Sequence, residues 1–521
     1  MKANIFIVMI LLLGLSVGGF SQNVNSASQP NILLVTVDDM NWNSPGVFGS
    51  SIEEITPNID ALAQEGIRFE RAYVTAANCS PSRVSIQTGL YPHQTGARGF
   101  YYIDDTKYET IATLLKKNGY YTGILNKSSD TNPSPAKEKY WHSVAGFKKV
   151  QKYDARAYRE KSNAFYGKAK QAKKPFYFVV NIADPHKPFF NDQSSQKNGF
   201  DENRPSRIID ASEVSVPGFL PDIAGVRSDV RNYQNSVKRA DDCLGAVLAS
   251  LKKNKLDKNT LVIFLSDHGM PFPFAKSCVY DNGLRTPLIM KWDGHLESGK
   301  VIREKLVSSI DLMPTLLDLV GEEMPEGPAY QGRSLMGLIQ GEQDEEAAEY
   351  VFGNFDENAR GIPRPMRGAI SLKWNYVFNA WATGTHEFRS ATMNHKAYKS
   401  MKKFSEQDDA VKQRVDMLIN RTVEELYDLE ADPNCLHNLA TDEAYQEVLE
   451  EMRQALRKHM VETRDYLLPA FDVRFDKKQL DEWMETEHAA AETRAAMLKW
   501  KRGQNLAGPT KSNTLLYQAN N

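Results

Sequence analysis

The chain has 521 residues, 41% of them hydrophobic and 25% charged, with a formal net charge of -2. This is the composition of a soluble globular protein with room for one large domain and a smaller one. The near-neutral balance argues against nucleic-acid binding, which calls for a strongly basic face, but it leaves room for a local basic pocket.

Lys2, the apolar run from Ile5 to Val17, and the small residues Gly19 and Ser21 read as a signal peptide over residues 1–21, cleaved before Gln22. The run is short for a membrane span, and no later stretch reaches about 18 apolar residues, so no stable membrane insertion is expected. A retained anchor is the competing reading. No lipobox cysteine follows the run, and the mature protein is expected to be periplasmic or secreted. Asn31 to Val37 forms a buried strand ending in Asp38-Asp39. Thr56-Pro57-Asn58 opens a helix that closes at Gly66, and Thr110 to Asn118 is a second helix, stopped by Gly119. Tyr121 to Leu125 and Pro175 to Asn181 are strands, the latter running into Asp184-Pro185-His186. Tyr233 to Lys252 has helical periodicity, Leu261 to Leu265 is a strand ending at Ser266-Asp267-His268-Gly269, and Ile310 to Leu319 is helical. Strand, polar loop and helix recur in that order. An α/β sandwich on a largely parallel sheet follows, with polar groups converging beyond the carboxyl ends of its strands. After about residue 365 the pattern changes. Ala369 to Tyr376 and Glu425 to Leu429 read as strands of a smaller sheet, residues 444–463 and 478–500 as charge-rich helices, and the chain beyond Gly503 as a polar tail.

The four cysteines, Cys79, Cys243, Cys278 and Cys435, have neither disulfide-framework nor zinc spacing. The last three read as small buried hydrophobes or as one disulfide. Cys79 stands apart because Asn78-Cys79-Ser80-Pro81-Ser82-Arg83 places it at the mouth of a helix, where backbone N–H groups and the dipole favour an anion. Arg83, one turn later, is able to point back at the same spot. A plain turn followed by a helix is the bland alternative.

Cys79-Ser80-Pro81-Ser82-Arg83 with Thr88-Gly89 resembles the signature of the type I, formylglycine-dependent sulfatases of the alkaline phosphatase superfamily. The similarity continues through Asn31 to Asp39, Thr56 to Phe69, Ser266 to Gly269, Asp281 to Leu288 and Glu425 to Leu439. Matches in this order are specific where any one alone is weak. The resemblance implies an α/β fold with a large mixed, mostly parallel sheet sandwiched by helices over residues 28–365. It also implies a smaller C-terminal α+β subdomain over residues 366–521, with a four-stranded antiparallel sheet and a helical tail. The activity implied is that of a sulfuric ester hydrolase.

By the same resemblance a formylglycine-generating maturation enzyme oxidises Cys79 to the aldehyde (3-oxoalanine), which hydrates to a gem-diol. One hydroxyl attacks sulfur in line and expels the alcohol. Deprotonation of the other then eliminates sulfate and restores the aldehyde. The two-step route replaces hydrolysis at a hindered sulfur with easier C–O cleavage. Asp38, Asp39, Asp267 and His268, with the modified Cys79, are implied to bind one calcium ion. Carboxylate oxygens suit calcium or magnesium, while the histidine is a softer donor. Lys127 and Lys276 align with sulfate-binding lysines, His186 with the acid that protonates the leaving oxygen, and Arg83 completes the catalytic set. Arg285 is placed outside it.

One departure stands out. Many family members carry a histidine two residues after the lysine matching Lys127, where this chain reads Lys127-Ser128-Ser129-Asp130. The base that releases sulfate is therefore open between His142, Lys127 and Asp130. Three functions compete: an active sulfatase; a two-zinc phosphatase or phosphodiesterase of the same superfamily, for which the chain is poor in histidines; and a non-catalytic binder of sulfated glycans. The segment Met270 to Lys276 resembles sulfatases allied to heparan N-sulfatases and to ulvan-degrading enzymes. A sulfated polysaccharide or oligosaccharide of the ulvan type is the favoured substrate, and N-sulfoglucosamine the runner-up. Tyr101-Tyr102, Trp141-His142 and the segment Thr385 to Arg389 are candidate subsite residues, although each type is more often plain surface or core.

Overall fold

The computed structural model describes residues 29–341 and 348–501; the expected signal peptide and the polar tail beyond Gly503 lie outside them. Its larger sheet has nine strands: β1 (Asn31–Val37), β2 (Ile67–Tyr73), β3 (Tyr121–Leu125), β4 (Ser143–Ala145), β5 (Phe176–Ile182), β6 (Thr260–Ser266), β7 (Arg285–Lys291), β8 (Lys300–Ile302) and β9 (Val307–Ser308). Their order is β4-β3-β5-β1-β6-β7-β2-β8, with β9 also on β2. Only β7 runs against its described neighbours. The expected large, mixed, mostly parallel sheet is therefore present. Side chains of β1 alternate between two cores: Leu33, Val35 and Val37 enter one, Ile32 and Leu34 the other. The long helices α4 (Ala155–Ala172) and α5 (Ala224–Lys253) cover the first face, α3 (Ile111–Lys117) and α6 (Leu312–Val320) the second. Burial on both sides is why these strands read as continuous apolar runs.

Local signals set the helix starts. Thr110 caps α3 through the Thr113 N–H (3.1 Å). At α1 (Pro57–Gln64) Thr56 gives its hydroxyl to Asp60 instead (3.0 Å). The open N–H groups of Asn58 and Ile59 go to Asp241 of α5, at 3.0 and 2.8 Å. The cap is thus a tertiary contact that no local pattern announces.

The second sheet is four-stranded and antiparallel, ordered β10 (Val351–Glu357), β11 (Pro363–Ile370), β12 (Trp374–Asn379) and β13 (Glu424–Asp428), with helices α7 (Gln446–Glu462) and α8 (Lys477–Met497) following it. Two expectations are corrected here. Its first strand starts at Val351, upstream of the expected boundary at 365. Ala369 to Tyr376 is not one strand but the turn joining β11 to β12. Ser371 N bonds to Trp374 O (2.9 Å), and the Ser371 hydroxyl accepts from Trp374 N (3.0 Å), reversing the chain inside an apolar run. The two sheets share one core: Met366, Val377, Leu426 and Leu449 belong to the same buried cluster as Val35 and Phe178. β10 also docks beside the segment that leads into Cys79, with Asn354 N donating to Thr75 O at 2.7 Å.

Candidate active site

Four adjacent parallel strands, β3, β5, β1 and β6, deliver Lys127, His186, Asp38-Asp39 and Asp267-His268 from their carboxyl ends. Cys79 opens α2 (Cys79–Thr88), all ten residues of which are buried. Asn78 is the N-cap residue, and its backbone carbonyl receives the Ser82 N–H at 3.0 Å with no side-chain cap. At the other end Gly89 turns at φ +65°, and a Cβ there would meet Met313 Sδ at 3.0 Å. The Thr88-Gly89 pair is thus fixed by a left-handed cap and a close helix contact. Gly269 is equally constrained, since a Cβ would fall 1.9 Å from the Asn282 carbonyl oxygen.

Ligand atoms of Asp39, Cys79, Asp267 and His268 all lie within 4.8 Å of one another, and all four residues are buried. His268 Nδ1 donates to the Gly269 carbonyl (2.9 Å), which leaves Nε2 toward Asp39 Oδ1 (3.0 Å) and Cys79 Sγ (3.4 Å). Asp39 takes a left-handed backbone at φ +70° and donates its N–H to Asp267 Oδ1 (3.0 Å). Two carboxylates, a ring nitrogen turned inward and the Cys79 side chain form a candidate donor set, and its carboxylates suit a hard divalent cation. Asp38, the fifth expected ligand, stands beside this group and binds Lys127 and Arg83.

Arg83 spends its donors beneath the site. It bonds Asp267 Oδ2 (3.0 Å), Asp38 Oδ1 (3.3 Å), Thr36 Oγ1 (2.7 Å) and Asn181 Oδ1 (2.5 Å). It orients the carboxylates rather than facing the pocket. Thr36 and Asn181, missed in the sequence as ordinary strand residues, join this network and bond each other at 2.6 Å. Lys276 reaches both oxygens of Asp39 (2.7 and 2.8 Å) and Cys79 Sγ (3.4 Å). Its loop folds tightly, with Phe274 and Ser277 left-handed and Lys276 N returned to Met270 O (3.1 Å). His186 gives Nδ1–H to the Lys187 carbonyl, so Nε2 is the nitrogen left for a ligand. Its loop is held by Arg239, which grips Asp184 at 2.6 and 3.0 Å.

The charges set one another. Burial alone would raise Asp38, but Lys127, His186, Arg83 and Lys276 outweigh it and hold the carboxyl well below the usual range. Asp39, likewise desolvated, is brought down to about 2 by Lys276, His186 and His268. At Asp267 burial prevails over Arg83 and His268, and its pKa goes up. Burial pushes the Cys79 thiol far up, aided by Asp38, Asp39 and Asp267 against Lys276, so the coded side chain is no ready thiolate. His186 is lowered to about 4, chiefly by burial.

Of the candidate bases, Asp130 is buried 3.9 Å from Lys127. His142 lies at the far end of β3, stacked on Tyr121 at 5.0 Å, with Nδ1 receiving the Thr122 N–H (3.1 Å). The structure does not bring it to Cys79. Trp141 is core, bonded to Asn132 (2.8 Å). Tyr101 is buried against Trp500, 5.9 Å between ring centroids, and Tyr102 lies beneath the Lys501 ammonium. His395 was not foreseen. It donates to Pro271 O (3.0 Å), and Lys187, Lys276 and His186 are among the charges that act on it. No motif surrounds it, and only the packing of the second sheet brings it here.

Residues 30–322 match the Sulfatase family model. Human N-sulphoglucosamine sulphohydrolase is 28% identical over 492 residues, covering 84% of this chain and 90% of that protein. An ulvan-active sulfatase of Formosa agariphila is 26% identical over 487 residues, covering 84% of this chain and 76% of that one. A solved 2-O GAG sulfatase superposes with a TM-score of 0.62 at 20% identity, covering 84% of this chain and 93% of that chain, a likeness of fold. Among the described residues no helix is long and apolar enough to cross a membrane.

Proposed function

This chain belongs to the sulfatase family of sulfuric ester hydrolases, and from that membership we propose that it removes sulfate esters from a sulfated polysaccharide or oligosaccharide, with an ulvan-type algal glycan favoured. The observation that carries the reading is the setting of Cys79: first residue of a buried helix, 3.4 Å from both Lys276 Nζ and His268 Nε2. In this proposal a maturation enzyme converts Cys79 to formylglycine, whose hydrate supplies the hydroxyl that attacks sulfur and keeps the sulfate, and a second hydroxyl whose deprotonation expels that sulfate and restores the aldehyde. A calcium ion held by Asp38, Asp39, Asp267, His268 and the modified residue would polarise the sulfate and lower the nucleophile's pKa.

The chain's own groups do the remainder. Lys276 and Lys127, each already set by one aspartate, neutralise the sulfuryl oxygens as charge shifts toward the leaving group. His186, shifted toward its neutral form by burial, gains a proton at Nε2 beside the bound anionic sulfate and hands it to the departing alcohol, its ring fixed through Nδ1. Arg83 keeps Asp38 and Asp267 in place. Asp130, 3.9 Å from Lys127 and one residue beyond the place of the missing histidine, serves in this proposal as the base for sulfate elimination. The leader at residues 1–21 directs the enzyme to the periplasm or outside the cell.

N-sulfoglucosamine is the second substrate reading, favoured by the likeness to the human N-sulphoglucosamine sulphohydrolase. The test is sulfate release from defined ulvan, carrageenan and heparan oligosaccharides, with mass spectrometry of the Cys79 peptide. We expect an ulvan-type ester to be cleaved, a peptide lighter than its coded mass, and no turnover by Cys79→Ala. Turnover confined to small aryl sulfates would end the glycan reading, and full activity with an unmodified Cys79 would end the formylglycine reading.

A further inference from the structure

Arginines that are more than nine-tenths buried are, with one exception, matched by a carboxylate or covered by soft partners. Arg83 meets Asp38 and Asp267, Arg239 meets Asp184, Arg367 meets Asp356 and Asp465, and Arg285 meets Asp281. Arg421 lies against the Cys278 sulfur (2.9 Å) and the rings of Tyr280 and Phe388. Arg364, 8% exposed, has none of these. Nε donates to Glu387 O and Nη1 to Pro363 O, both at 2.7 Å, and Nη1 also meets His488 Nε2 at 3.2 Å. Nη2 meets no acceptor among the described residues. Arg389, its like-charged neighbour, is already paired with Glu387 (2.6 Å), and burial followed by Arg389 lowers the Arg364 pKa to about 10. Glu387 pulls the other way but is held by Arg389, and His488 and His386 are both shifted toward their neutral forms, burial first, so two arginines share one carboxylate. A buried charge of this kind is costly unless something pairs with it.

Its place in the fold says where that partner comes from. Pro363 pairs across the β10–β11 hairpin with Glu357, whose carbonyl accepts from Asn78 (3.2 Å), the cap residue directly before Cys79. Asn358 of the same hairpin donates to Arg389 O (3.3 Å). Arg364 and Arg389 therefore hang on a hairpin that abuts the nucleophile's helix. We infer that Arg364, flanked by Arg389, receives an anionic substituent on the sugar next to the one being desulfated. A sulfate and a uronate carboxylate share the required chemistry, since each presents two oxygens to a guanidinium fork. The assignment rests on the sulfated-glycan reading and deepens it to a preference for chains anionic on consecutive sugars.

The test uses the full-length matured enzyme and oligosaccharides that carry one scissile sulfate beside a sulfated, a uronate or a neutral sugar. The readout is the ratio of kcat/KM on each anionic-neighbour substrate to that on the neutral-neighbour one. Arg364→Gln should lower that ratio by about tenfold or more, chiefly through KM, as expected for loss of a hydrogen-bonded charge pair. Arg364→Lys, which keeps the charge and loses the fork, should lower it less and guards against a Gln variant that does not fold. The arm that moves tells sulfate from carboxylate. A ratio unchanged in a variant with the parental melting temperature overturns the inference. No sulfate release from any arm by the unaltered enzyme overturns the glycan reading and this inference together.

Discussion

At the scale of single residues the site consists of charges that fix one another. Three carboxylates, Asp38, Asp39 and Asp267, face three cations, Arg83, Lys127 and Lys276, all buried but the half-buried Lys127. Removing one partner leaves the other unpaired, so loss of a single member is expected to damage the whole group. His186 gives the sharpest test of a role. If it protonates the leaving oxygen, His186→Ala should cost about 10²–10⁴ in kcat on an alkyl or sugar sulfate. The cost should be far smaller on an aryl sulfate, whose phenolate departs without help. Equal losses on both would leave His186 as a substrate-binding residue only. The sequence marked Cys79, the aspartate pairs and both lysines, because each sits in a short run with its own chemistry. It offered nothing for Thr36, Asn181 or His395, which are ordinary residue types whose role comes from what packs against them.

Elements explain why those residues hold still. Helix α2 is buried along its whole length, capped by Asn78 at one end and turned by Gly89 at the other. Gly89→Ala should destabilise by about 1–2 kcal/mol from the left-handed backbone alone, with more from the contact on Met313. Urea unfolding would read this as a lower midpoint at unchanged slope, and an unaltered midpoint would show that the cap carries no strain. Strand ends were the most legible elements, because β1, β5 and β6 pass from apolar runs straight into polar clusters. Turn chemistry was less so: Ser371 to Lys373 reverses the chain within what reads as one apolar strand. Helix α1 takes its cap from Asp241, 183 residues from Asn58, a partner no local window contains.

Across the whole molecule, the join between the two sheets carries a buried polar network of its own. His93 receives a hydrogen bond from Asn354 of β10 (2.7 Å) and lies 3.6 Å from Asp465, which is itself gripped by Arg367. His459 stacks on Phe352 at 3.9 Å and meets Tyr91 edge-on at 4.6 Å. Burial is the main cause holding both histidines neutral, His93 at about 4. An unfolded histidine titrates near 6.5, so between about 4 and 6.5 the unfolded chain binds more protons and stability rises with pH. This contribution is complete above the unfolded value and is lost as the pH falls toward 4. Urea midpoints should therefore drop between pH 7 and pH 5, and less so in His93→Gln. An equal drop in both proteins would place the acid sensitivity elsewhere.

The linear chain was enough for the family, the α/β class, the place of Cys79 at the start of a helix and the clustering of carboxylates at strand ends, since each is written in contiguous residues or in a periodicity of two or 3.6. Folding decided the rest. It turned Arg83 beneath the sheet edge, set Asp38 against Lys127, kept His142 at the opposite end of β3, started the second sheet at Val351, and left Arg364 buried with no carboxylate in contact among the described residues. Each of these depends on contacts between residues far apart in the chain, and such contacts exist only once both sheets are packed into one core.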